Sequence, residues 1–188
     1  MHQNPGSPYS DWSLFLDRDG VLNQRPGKGY VKHPKEFIWI PGSLESMPLL
    51  AKSFKHIFLV TNQQGIGKGL MTEKDLEAIH EKMMRDIRQA GGRIDKIYHA
   101  SGMRHIDSFR RKPGEGMGLE ARNDFPMVDF RKSWMVGDTL RDILFGYRLQ
   151  MTTALIAEKT DFPRHYLGVA RYRFINLLDF ATFIQEKV

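Results

Sequence analysis

The chain of 188 residues contains no cysteine. Disulfides are therefore excluded, and so is any thiolate metal site. No apolar run approaches the roughly 20 residues that a membrane-spanning helix needs. The opening stretch MHQNPGSPYSDW has neither the basic nor the apolar segment of a secretory leader. Residues 1–12 are expected to form a flexible tail, ahead of a single domain over residues 13–188. Cytoplasmic residence is the corresponding expectation, with no membrane partner. Lysine and arginine form no dense block and no stripe interleaved with aromatics, so the net charge of +6 does not by itself indicate nucleic acid. A positive balance does favour anionic ligands, phosphorylated metabolites among them.

What is present is an alternation of short apolar runs with helical patterns. LFL (14–16), HIFLVTN (56–62), KIYHA (96–100), SWMVGD (133–138) and TTALIA (152–157) read as strands, the second rich in branched and aromatic residues. A helix is expected around Ser43–Phe54. A longer one opens at Thr72, a residue type that caps helix starts, and Gly91-Gly92 stops it. Leu76, Ile79, Met83 and Ile87 are spaced three or four apart along one face of that helix. Further helical patterns cover 139–149 and LLDFATFIQEK at the C-terminus. Such alternation predicts an α/β fold: a Rossmann-like parallel sheet with helices on both faces. The segments between strands leave no room for a separate cap domain.

In sheets of this kind ligands bind beyond the carboxyl ends of the strands. The polar residues gather there: Asp17 and Asp19 after the first strand, Thr61, Asn62, Gln63 and Gln64 at the second, Asp138 at the fourth. Side chains two apart on an extended chain point to one side, so Asp17 and Asp19 should repel unless a cation lies between them. Asp17, Asp19 and Asp138 offer oxygen only, which suits magnesium rather than zinc or copper. A carboxylate can also attack phosphorus, and a second can move the protons. Lys112, beside Arg111, would balance the charge of a transferring phosphoryl group.

The order LDRDG, VTNQ, RKP and VGDTLRD resembles the four motifs of the haloacid dehalogenase-like phosphohydrolases, over most of residues 13–157. DRDGVLN, GYV (29–31), TNQQGIGKGL and RRKPGEGM are similar to the branch of heptose-bisphosphate 7-phosphatases and the histidinol-phosphatases akin to them. The resemblance implies Asp17 as nucleophile and Asp19 as general acid/base. Thr61 and Lys112 would hold the transferring phosphoryl group. Magnesium would be bound by Asp17, the backbone carbonyl of Asp19, and Asp138. Substrate contacts would come from Lys28, Gly29, Tyr30, Asn62, Gln63, Gln64 and Arg111. Asp142, one helical turn after Asp138, would orient Lys112 or a metal-bound water, or serve only as a first-turn acid.

Two departures from that pattern concern specificity. Ala100, Ser108 and Arg110 stand near where the branch commonly carries zinc-binding cysteines, so no zinc is expected. Thr139 replaces a usual lysine. The implied activity is removal of the 7-phosphate from D-glycero-D-manno-heptose 1,7-bisphosphate, a small phosphorylated sugar, by a monomeric enzyme. Histidinol phosphate and a 3′-phosphorylated polynucleotide are the alternative substrates, though no stacking aromatics line a basic groove. A silent anion-binding module is the alternative outside catalysis, disfavoured because both Asp17 and Asp19 are retained.

Overall fold

In the computed structural model, which describes residues 7–27, 29–103, 105–157 and 168–187, the apolar runs become one parallel sheet. Its strands are β1 (Ser13–Leu16), β2 (His56–Asn62), β3 (Lys96–Ala100), β4 (Ser133–Gly137), β5 (Thr152–Ile156) and β6 (Tyr172–Phe174), in the order β3-β2-β1-β4-β5-β6. β1 pairs with β2 on one side and β4 on the other, and its register sets Leu16 beside both Leu59 and Val136.

Period-two alternation sends β1 into two separate cores. Leu14 and Leu16 join the cluster beneath α1 (Ser43–Ser53), α3 (Glu73–Gln89) and α6 (Leu177–Glu186). Phe15 points to the opposite face, where Phe58, Met117 and Phe145 pack around it. That second layer is carried by α4 (Gly116–Asp124) and α5 (Leu140–Arg148), while α2 (Gln64–Gly67) is a single turn beyond β2. Each fully buried leucine or phenylalanine here contributes roughly 1.5–3 kcal/mol relative to exposure. A strand apolar on both faces is thereby held centrally, and its carboxyl end is a fixed platform.

Helix α3 starts as its sequence dictates. The Thr72 side chain accepts from the Asp75 backbone N–H, and Asp75 accepts in return from the Thr72 N–H. Four elements fall where the sequence leaves other expectations. Residues 7–12 are packed rather than loose: the Tyr9 ring lies 5.7 Å from Phe54 and 6.1 Å from Trp134. The glycine-rich GMGLEARND forms α4, because Met117 and Ala121 bury against the sheet face. The stretch 158–175 supplies β6, which pairs with β5 through Ala154 and Tyr172, and residues 158–167 lie outside the described ones. The fourth strand ends at Gly137, one residue before Asp138. Among the described residues no second sheet or helical cap stands over the sheet edge, and no helix is long and apolar enough to cross a membrane.

Candidate active site

The strand order reverses direction between β1 and β4, and a crevice opens at such a switch point. Asp17 continues β1 by one residue, its N–H donating to the Val136 carbonyl at 2.9 Å. The chain then turns sharply. Gly20 has φ 95°, and a Cβ there would collide with the Asp138 carboxylate, so only glycine lets these two acidic loops meet. Asp17 and Asp19 lie just past the end of β1 at Leu16, and both line the same cavity, one from the strand end and one from the turn after it.

Lys112 is the hub of the floor. Its side chain is 1% exposed, and the ammonium donates to Asp17 Oδ1 at 2.7 Å and to the Val60 carbonyl at 2.6 Å, with Asp142 Oδ1 also at 2.7 Å. Burial alone would lower the lysine, but the Asp142 and Asp17 carboxylates outweigh it and hold it above the usual range. Asn62 fixes the lysine backbone reciprocally, donating to its carbonyl and accepting from its N–H, both at 3.0 Å. Asp142 also closes the first turn of α5 by accepting from the Thr139 N–H and hydroxyl. Both readings of Asp142 thus hold in one residue, but it is buried rather than exposed.

The Asp19 carboxylate is held from behind. Arg18 Nη2 lies 3.0 Å from its Oδ1, Asn23 donates to the same oxygen at 3.0 Å, and Gln63 Nε2 donates to Oδ2 at 2.9 Å. Burial pushes Asp19 up, yet these partners win and hold it below the ordinary carboxylate range. Arg18 is wholly buried, and its other contacts are Gln63 Oε1 at 3.2 Å and His80 Nε2 at 3.3 Å. An arginine can only donate, so His80 must present a bare ring nitrogen. Burial and the neighbouring guanidinium depress His80 to about 3.

That depression has a sign. Below pH 6.5 the unfolded chain protonates this histidine while the folded chain does not, so His80 subtracts stability increasingly as pH falls toward 3. A His80→Gln variant keeps an acceptor for Arg18 without the titration. Its melting temperature is expected to fall less steeply than wild type between pH 6.5 and pH 4. Parallel slopes in a thermal-denaturation series would contradict this.

Lys112 bonds to Asp17 and Asp142, and the cation against Asp138 is Arg25 instead. Burial, with Asp17 beside it, raises Asp138 to about 8; burial raises Asp17 to about 6, with Asp142 and Asp19 adding to it and Lys112 opposing. Arg25 reaches into this excess of negative charge. Its Nε donates to the Asp19 carbonyl at 2.8 Å, and its Nη2 lies 2.7 Å from Asp138 Oδ1 and 3.9 Å from Asp17 Oδ2. Oxygens of Asp17, Asp138 and Asp142 also lie within 4.8 Å of one another. An all-oxygen set already attracting a cation fits a hard divalent ion such as magnesium.

Asp17, Asp19, Arg25, Lys112 and Asp142 border a cavity of about 390 Å³, and Asp138 is not among its lining residues. Gly29, Tyr30, Asn62, Gln64 and Arg111 line it, and Lys28 lies outside the described residues. Gln63 does not line it: the side chain is buried between Asp19, Thr61 and Arg18, so it positions rather than contacts. Thr61 is likewise fully buried, its hydroxyl accepting from Gln63 at 2.8 Å. Arg25, Lys68 and Arg141 join the wall without having been singled out from sequence. The loop where zinc-binding cysteines would be expected is tied instead by Arg110, which grips Glu120 on α4 at 2.8 and 3.0 Å, while His99 meets Glu73 at 2.9 Å.

A HAD-hydrolase-like family model matches residues 109–164. Over 171 residues the chain is 32% identical to D-glycero-alpha-D-manno-heptose-1,7-bisphosphate 7-phosphatase of Mycobacterium tuberculosis, covering 91% of this chain and 90% of that one. The chain belongs to the haloacid dehalogenase-like phosphatases of the heptose-bisphosphate branch. The D-glycero-beta-D-manno-heptose-1,7-bisphosphate 7-phosphatase of Neisseria meningitidis is also 32% identical, over 93% of this chain and 95% of its own. The crystal structure of the D,D-heptose 1,7-bisphosphate phosphatase from B. bronchiseptica, complexed with magnesium and phosphate, superposes with a TM-score of 0.83 at 29% identity, covering 94% of this chain and 99% of that one. As a member of these phosphatases the chain is a hydrolase of phosphate esters, and the cavity over β1 and β4 is where its chemistry is to be sought.

Proposed function

We propose that this phosphatase removes the 7-phosphate of D-glycero-D-manno-heptose 1,7-bisphosphate with magnesium, through an aspartyl-phosphate on Asp17. The observation that carries this reading is Lys112, a buried ammonium bonded to Asp17 at the floor of a cavity whose upper wall holds further cations, Lys68, Arg111 and Arg141. A floor built to neutralise one phosphoryl group and a wall able to attract another suit a small bisphosphate.

In the first half-reaction an Asp17 carboxylate oxygen attacks phosphorus and the bond from phosphorus to the sugar oxygen breaks. Asp19 gives its proton to that leaving oxygen. A bound phosphate dianion raises the proton affinity of Asp19 by like-charge repulsion, against the hold of Arg18. In the second half, water attacks phosphorus, its proton returns to Asp19, and the bond to Asp17 breaks to release phosphate. Lys112 offsets the charge on the transferring group; the Thr61 hydroxyl is fully buried and accepts from Gln63, which leaves its own proton to donate toward that group. Asp17, the Asp19 carbonyl and Asp138 would hold magnesium, which supplies charge neutralisation at the phosphoryl oxygens.

The test is phosphate release with magnesium from the alpha and beta heptose 1,7-bisphosphates, histidinol phosphate and a 3′-phosphorylated oligonucleotide. A kcat/KM for one heptose bisphosphate at least a hundredfold above the other two classes is expected. Preference for histidinol phosphate or the oligonucleotide would overturn the substrate and leave the chemistry standing.

A further inference from the structure

Arg25 occupies a place that the chemistry reserves for something else. Its guanidinium touches the Asp19 carbonyl and the Asp138 carboxylate and approaches Asp17. These are the three groups proposed above to hold magnesium, and any role of Arg25 among them rests on that reading. Magnesium sits about 2.0–2.1 Å from its oxygen ligands. Guanidinium nitrogens 2.7–2.8 Å from the same oxygens occupy lone pairs that the ion would draw on, and bring a second positive charge to the same carboxylates. The two cations compete for the same oxygens.

We propose that Arg25 is an internal counter-cation that fills the metal seat of the metal-free enzyme and must be displaced for the divalent ion to bind. The residue is placed to do both. Its backbone neighbour Gln24 is anchored, the N–H donating to the Ile38 carbonyl at 2.9 Å, so the arm has a fixed root. The side chain itself is 48% exposed, so rotation about its own bonds takes the guanidinium out to solvent without unfolding the loop. The arginine on the other side of the seat is not interchangeable with it: Arg18 is wholly buried and committed to the Asp19 carboxylate. Arg25 thus lowers metal affinity by holding the seat in its closed form. Apparent affinity falls by the fraction of molecules in which the seat is open.

The consequence is measurable apart from turnover. Magnesium binding to the full-length chain is followed by isothermal titration calorimetry in wild type, Arg25→Ala, Arg25→Gln and Asp138→Asn, with manganese paramagnetic resonance as a second readout. If Arg25 holds the seat about nine-tenths of the time, both Arg25 variants bind magnesium about tenfold more tightly than wild type. Magnesium also raises their melting temperatures by more than it raises that of wild type, because the metal-free variants carry uncompensated acids. Asp138→Asn binds at least tenfold more weakly. Unchanged or weaker binding in both Arg25 variants, with Asp138→Asn still impaired, would overturn the role of Arg25 alone. Binding unaffected by Asp138→Asn would overturn the metal seat itself, and this inference with it.

Discussion

Asp17→Asn is expected to reduce phosphate release by a thousandfold or more, as loss of a covalent nucleophile does elsewhere (roughly 10⁶ in a well-studied hydrolase). The same variant should remain folded, and in the absence of metal it should melt higher than wild type at pH 8. The sign follows from the environment. Burial raises the native carboxyl to about 6, above its value in the unfolded chain, so ionising it costs the folded state more. Stability is therefore lost as pH rises through about 6, and the amide removes that loss. Below pH 5 wild-type Asp17 is protonated in the folded state, and the difference between the two proteins should shrink. Lys112 keeps its bond to Asp142 in the variant, so the hub is not orphaned. Activity lost with stability gained separates a catalytic acid from a structural one. A variant that retained a tenth of wild-type turnover would require another nucleophile.

Lys112→Met should damage both properties at once. It strips the cation from two buried carboxylates, Asp17 and Asp142, each 2.7 Å from the ammonium. Breaking a buried pair from one side costs about 3–5 kcal/mol, because a buried charge is left uncompensated. In a chain of this size that corresponds to a fall of roughly 10 °C in melting temperature. Loss of the charge facing the transferring phosphoryl group should lower kcat by about 10²–10³. Adding Asp142→Asn to Lys112→Met removes one of the stranded carboxylates. The pair should recover part of the stability and none of the rate, a non-additivity expected of residues in direct contact. Melting curves and initial rates for the two single variants and the double one decide it. Strict additivity in stability would mean that Lys112 and Asp142 do not act together.

The sequence carried the fold where its signals were local. A strand such as Leu14–Leu16, or a capping box such as Thr72 with Asp75, is decided by residues within a few positions of one another. The catalytic order was legible for a similar reason, since each polar group follows directly on an apolar strand. What escaped was decided across the chain. Arg25 meets Asp138 over 113 positions and Arg18 meets His80 over 62, and neither partner marks the other in the sequence. Arg18 lies between two aspartates in the sequence, and it is wholly buried because Asp19, Gln63 and His80 surround it. Gln63 reads as a substrate contact from its place after the strand, but buried bonds to Asp19 and Thr61 engage its amide. Helix α4 was obscured by Gly116 and Gly118, residues that weaken helical propensity and here permit close packing on Arg110 and Leu149. The segment at 7–12 reads as a flexible tail, and its order comes from Tyr9, stacked on Phe54, and from Trp12, whose carbonyl accepts from the Lys55 N–H.

The central claim is that Asp17 carries the phosphoryl group. It is tested most directly by quenching the enzyme with acid during turnover of heptose 1,7-bisphosphate, reducing with borohydride and sequencing the peptides by mass spectrometry. Borohydride converts an aspartyl-phosphate to homoserine and leaves a free aspartate untouched. Homoserine at position 17, absent when substrate or magnesium is withheld, is the predicted result. Homoserine at Asp19 or Asp138, or an unmodified Asp17 in an enzyme trapped at steady state, would contradict it.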